Sequence, residues 1–118
     1  MVRIHPLGDR GLPRYEVLFH PAAEKEFLVL PGQVQSRFER AIDLLAVDPL
    51  RPRPGADIKK LGDLGSGEIL CRLRVGEHRS CYAVVTARRE VLILLFDARG
   101  AGYDRIIATA KSRRRGPQ

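Results

Sequence analysis

Arg72, Arg74 and Arg79 fall in two strand-like segments, Glu68 to Val75 (EILCRLRV) and Arg79 to Thr86 (RSCYAVVT), joined by the tripeptide GEH. A guanidinium stays protonated, so several on one surface act electrostatically: they hold an anion and stabilise charge developing on it. Whether the three share a surface depends on register. A two-residue loop, Gly76-Glu77, suits a tight turn with Gly at its first central position, and it pairs Val75 with His78 and Arg74 with Arg79. Arg72, Arg74, Arg79 and Cys81 then share one face. Ile69, Cys71, Leu73, Val75, Tyr82 and Val84 form the other, an apolar layer for helices to cover. A slip of one residue would turn Arg79 into that layer, where an unpaired guanidinium is costly, so the tight turn is expected. It also sets Cys71 and Cys81 on opposite faces, which excludes a disulfide between them without distortion.

The charge balance points the same way. The chain has 21 Lys+Arg against 14 Asp+Glu, a formal charge of +7. Residues 1–57 carry eight of each sign, and residues 58–118 carry thirteen basic and six acidic, so the whole excess lies in the second half. Such an asymmetry makes a positive face that concentrates phosphate polymers or acidic protein partners. Lys59 and Lys60, and Arg114 in the closing run Lys111, Arg113, Arg114 and Arg115, extend the candidate binding set. The plain alternative is a solvated edge for the lysine pair, a solvated end for the tail and solubility for single strand arginines.

Other chemistries find little support. Two cysteines and three scattered histidines, His5, His20 and His78, lack the paired spacing of a metal site, so no metal or cofactor is expected. The glycines of residues 62–67 lack phosphate-loop spacing and a following GK[ST]. The longest apolar run, Val91 to Phe96, is far short of the roughly 20 residues of a membrane span. Residues 1–13 do not read as a secretory signal, and a cytoplasmic location without membrane contact is the expectation.

The positioning elements follow from pattern. Arg14 to Phe19 is a first strand. His20 and Pro21 suit the cap and first turn of a helix with Ala23, Phe27 and Leu30 on one side, broken by Pro31-Gly32. A second helix spans about Gln33 to Val47, with Val34, Phe38, Ala41, Ile42 and Leu45 at helical spacing, and Asp48-Pro49 stops it. The two make an αα-hairpin, followed by an irregular Pro- and Arg-rich loop over 48–57. Ile58 to Leu61 starts the sheet, a Gly-rich turn covers Gly62 to Gly67, and Val91 to Phe96 (VLILLF) reads as a central strand covered on both sides. Ala101 to about Ala110, with Tyr103, Ile106, Ile107 and Ala110, is a short amphipathic helix. Residues 14–110 thus form one α+β domain, with 1–13 an N-terminal extension and 111–118 a basic tail.

Taken together, YEVLFHPAAEKEFLVLP, LLAVDP, the KKL at 59–61, RLRVGEHRSCY at 72–82 and VLILLFDARGAGY at 91–103 resemble the RelE/ParE toxin superfamily over roughly residues 14–110. The most specific element is RLRVGxxRxxY followed by an apolar strand, an arginine and a tyrosine four residues later. The resemblance implies a small antiparallel sheet packed on an αα-hairpin and a toxin neutralised by a cognate antitoxin protein, binding operator DNA only through that complex. In the RelE-like branch it implies cleavage of messenger RNA on the ribosome, and in the ParE-like branch inhibition of DNA gyrase. A third possibility is an inactive relative that only binds its antitoxin.

Cutting RNA without a metal needs a base for the 2′-oxygen, cations for the phosphorane and an acid for the leaving 5′-oxygen. By the resemblance, Arg72 and Arg79 stabilise the phosphate, Arg99 assists the leaving group, and Tyr103 is base or stacking platform. A phenol with a pKa near 10 needs neighbouring cations to serve as base. Leu70 stands where the best-studied RelE-like enzymes have a second catalytic lysine, and Arg99 and Tyr103 are closer together than theirs. Lys59 or Lys60 are substitutes for that cation, and Glu68 or His78 are alternative proton carriers.

Overall fold

The computed structural model describes residues 2–4, 14–98 and 102–115. Strands β1 (Val2–Ile4) and β2 (Glu16–Phe19) precede helices α1 (Pro21–Leu28) and α2 (Gly32–Val47). Strands β3 (Asp57–Gly65), β4 (Glu68–Val75), β5 (His78–Val85) and β6 (Glu90–Asp97) follow, and α3 (Tyr103–Arg114) closes the order. The sheet runs β1-β2-β6-β5-β4-β3 and is antiparallel except for the β2–β6 pair. Val2–Ile4, in the segment read from sequence as an extension, pair with β2.

The αα-hairpin forms for the expected local reasons. The His20 imidazole accepts a hydrogen bond from the Ala22 N–H at 3.0 Å while Pro21 occupies the first turn, so the α1 cap needs no hydroxyl. The C-terminus of α2 has no basic residue of its own. Arg53 from the following loop supplies the positive charge instead, donating to the carbonyls of Leu44 and Asp48.

The two faces of the sheet bury different layers. Under α1 and α2 lie Val17, Phe19, Leu73, Tyr82, Val84, Ile93 and Phe96, with Phe27 and Phe38 reaching down from the helices. Under α3 lie Leu70, Cys81, Ala83, Leu92, Leu94 and Leu95, met by Ile106 and Ala110. The β4–β5 register is the tight-turn one: Val75 pairs with His78 and Arg74 with Arg79, and Gly76 supplies the left-handed φ of +60°. Three features depart from the sequence pattern. The Gly62 to Gly65 segment is strand, not turn, because two bulges let β3 keep pairing with β4 while Gly62 and Gly65 take positive φ. The last helix runs on to Arg114, so 111–114 are helical and not a tail. A bulge in β6 opposite Cys81–Tyr82 puts Leu94 and Leu95 both under α3 and reverses the alternation beyond them.

Cys71 and Cys81 are free, fully buried and on opposite faces. Burial pushes their thiols up to about 11 and about 12 respectively. In the unfolded chain these groups ionise near pH 8.5–9. Their contribution to stability is therefore whole below about pH 8.5 and declines as pH rises toward the folded values. Urea midpoints are expected to fall steadily from pH 8.5 to 11, less so in a Cys71→Ala, Cys81→Ala double variant. Native-state thiol labelling at pH 8 should be slow and accelerate only on unfolding.

Candidate active site

Tyr103 is the first residue of α3, so its phenol sits at the positive end of that helix, above the face that carries the strand arginines. The Arg72 Nη1 lies 3.3 Å from its hydroxyl oxygen. The Arg79 guanidinium carbon is 5.3 Å and the Lys59 ammonium 5.5 Å from the ring centroid, both within cation–π range. The hydrogen bond from Arg72 is the main reason the phenol is held below its ordinary pKa, and the charges of Arg72 and Lys59 act in the same direction. Three cations from β3, β4 and β5 thus surround one phenol, Arg72 at its oxygen and Arg79 and Lys59 at its ring, a setting that favours the phenolate a tyrosine base requires.

Two carboxylates organise the cations. Asp57, at the start of β3 and paired in register with Arg74, accepts from Arg72 Nη2 at 2.8 Å and lies 3.9 Å from Arg74. Asp97, at the end of β6, accepts from Arg79 at 2.9 Å. A strictly alternating β6 would send Asp97 to the helix-covered face, because Val91 and Ile93 point there; the bulge reverses the parity and seats Asp97 beside Arg79. Neither aspartate was singled out from the sequence. Asp57 was legible by extending the β4 register into β3, whereas VLILLF, apolar at every position, gives no sign of a bulge.

The remaining sequence candidates divide sharply. Arg72 is only 6% exposed, so it is a buried structural partner as well as a site cation. Arg74 is exposed and turned toward the Gly76 carbonyl, 3.2 Å away. Lys59 joins the cluster, but Lys60 pairs in register with Cys71, on the opposite face, and meets Asp63 at 3.6 Å. His78 pairs with Val75 and so also belongs to the helix-side face. Glu68 is bound by both nitrogens of the Arg114 fork, at 2.7 and 2.6 Å, which removes it as a proton carrier and removes Arg114 from a solvated tail. Leu70 is core beneath α3. Arg99 lies outside the described residues.

The bidentate Arg114–Glu68 pair, with Arg113 held by Glu26 at 2.8 Å and by the Leu94 carbonyl at 2.9 Å, fastens α3 to the sheet and to α1. Arg114→Ala is therefore expected to cost about 1–2 kcal/mol of stability, read as a lower urea midpoint. As a control, Arg105→Ala on the exposed side of α3 should leave the midpoint nearly unchanged.

No family model matches the sequence, and no curated protein does. Solved structures do. RelE in the archaeal RelE–RelB complex from Pyrococcus horikoshii is 32% identical over 75% of this chain and 99% of its own, with a TM-score of 0.65. The chain belongs to the RelE toxin family. The toxin-antitoxin complex RelBE2 of Mycobacterium tuberculosis gives 27% identity over 74% of this chain and 99% of the other, TM-score 0.57. Free E. coli RelE shares the fold at 20% identity, over 85% and 97% of the two chains, TM-score 0.57. This RelE-family chain is accordingly a toxin of the toxin-antitoxin type. Among its described residues no helix is long and apolar enough to cross a membrane.

Proposed function

We propose that this RelE-family toxin is a ribosome-dependent messenger RNA endonuclease that works without a metal. The observation that carries the reading is the Tyr103 phenol, held below its ordinary pKa by Arg72 and flanked by Arg79 and Lys59. In this mechanism the phenolate takes the 2′-hydroxyl proton and the 2′-oxygen attacks the adjacent phosphorus. The bond to the 5′-oxygen breaks, leaving a 2′,3′-cyclic phosphate and a 5′-hydroxyl. Arg79 and Lys59 stabilise the charge that builds on the phosphorane oxygens, and Arg72 stabilises the phenolate before the proton moves. Arg99 stabilises the charge on the leaving 5′-oxygen, which takes its proton from water.

The natural partners in this reading are a cognate antitoxin, the ribosome and its messenger RNA, with operator DNA engaged only through the antitoxin complex. The solved structures from P. horikoshii and M. tuberculosis are themselves complexes of a toxin with an antitoxin, which supports that partner. The test is single-turnover cleavage of messenger RNA positioned on saturating ribosomes. Cleavage yielding cyclic-phosphate ends is the expected result. No cleavage together with inhibited DNA gyrase would replace this reading with the ParE-like one.

A further inference from the structure

A cavity of about 490 Å³ opens where β3 begins, β4 ends and α2 passes over the sheet. Its wall carries four guanidinium side chains, Arg37, Arg40, Arg53 and Arg74, against one carboxylate, Asp57. The roles of the four differ. Arg53 is fixed in place by the carbonyls at the end of α2. Arg74 is turned toward Gly76 and Asp57. Arg37 and Arg40, one helical turn apart on the exposed side of α2, have no carboxylate partner among the described residues. The Arg37 guanidinium reaches across to the β4–β5 turn, where it lies over Gly76. Concentrating uncompensated guanidinium charge in a concavity is unfavourable for the protein alone and favourable once an anion enters.

We propose that this cavity binds the phosphodiester backbone of RNA, as a subsite for the strand whose scissile phosphate lies at Tyr103; the placement of that strand rests on the nuclease reading above. The two places are joined by a run of contacts, from Arg74 to Asp57, from Asp57 to Arg72 and from Arg72 to the Tyr103 hydroxyl. Two strand residues, about 7 Å, separate Arg72 from Arg74, a span that one nucleotide bridges. A polyanion crossing Tyr103 carries its next phosphates along this edge and around the end of the sheet, into the cavity. Guanidinium forks match the paired oxygens of a phosphodiester. An acidic peptide is attracted by the same charge, but nothing in its chemistry ties it to Tyr103.

The probe is a fluorescent 2′-O-methyl RNA 12-mer, which cannot be cut, titrated with the intact protein and followed by anisotropy at several salt concentrations. Arg37→Gln, Arg40→Gln keeps two good helix formers on an exposed surface, so the fold is retained. It is expected to weaken binding at least tenfold at 0.1 M salt. The slope of log affinity against log salt should become shallower by about 1.4, the share of two single-strand phosphate contacts. The same loss toward ribosomes lacking messenger RNA, with the 12-mer unaffected, would overturn the assignment to the substrate strand and give the cavity to ribosomal RNA. Unchanged binding to both RNAs would overturn the proposal, and weakened binding of the antitoxin alone would give the cavity to an acidic peptide. Because the 12-mer is uncleavable, failure of the nuclease reading shows separately, as a wild type that binds RNA yet leaves messenger RNA on the ribosome intact.

Discussion

Tyr103→Phe is expected to slow single-turnover cleavage of ribosome-positioned messenger RNA by about a hundredfold or more, with ribosome binding nearly unchanged. The substitution removes one oxygen and keeps the ring against Arg79 and Lys59, so what is lost is the proton acceptor, and a positioned base contributes roughly 10²–10⁴ in rate. Arg79→Ala should cost a similar factor, about a hundredfold, through loss of charge stabilisation at the phosphorane. The double variant should be far less than additively impaired, because phenol and guanidinium act on one step. The pH profile carries the sign. A base works in its deprotonated form, so the rate rises with pH up to the Tyr103 pKa, which Arg72, Lys59 and Arg79 together draw down. Without Arg79 that limb moves to higher pH. Cleavage surviving the loss of both residues would overturn this site. Attention would then pass to Lys59 and the carboxylates of Asp57 and Asp97, since His78 faces away and Glu68 is taken by Arg114.

The sequence revealed what a local physical rule controls and concealed what depends on irregular backbone. The β4–β5 register was legible because a wrong one buries Arg79, and because Gly76 stands where the tight turn needs a positive φ. The α1 start was legible from His20-Pro21, and β6 from six consecutive apolar residues. The same six residues hid the bulge, since an apolar run has no alternation to break, and with it the Arg79–Asp97 pair. Glycines at 62 and 65 read as turn because positive φ is commonest there, whereas bulges use it as well. Arginines 113 and 114 read as tail because their partners, Glu26 and Glu68, are 87 and 46 residues away in sequence. Distance of that kind also explains the site: Arg72 and Tyr103 are 31 residues apart, and only the resemblance to known toxins linked them beforehand.

Arg72 joins scaffold and chemistry, and two substitutions separate the roles. Its side chain is 8% exposed and donates to the Asp57 carboxylate, the Asp57 carbonyl and the Tyr103 hydroxyl. Arg72→Ala removes those bonds and leaves space beside the core that α3 covers. Asp57 is 58% exposed and returns to water, so the loss is expected at about 2–3 kcal/mol, below that of breaking a fully buried pair. Arg72→Met fills much of the same volume with an apolar chain. Replacing a buried charge in this way is often near neutral, so its urea midpoint should stay within about 1 kcal/mol of wild type. Both variants lose the hydrogen bond that does most to lower the phenol, so in both the tyrosinate absorbance of Tyr103 and the rising limb of the cleavage profile should move to higher pH. A Met variant with wild-type stability and an unshifted limb would make Arg72 a packing residue only. A shifted limb at wild-type stability would fix Arg72 as the residue that positions and acidifies the base.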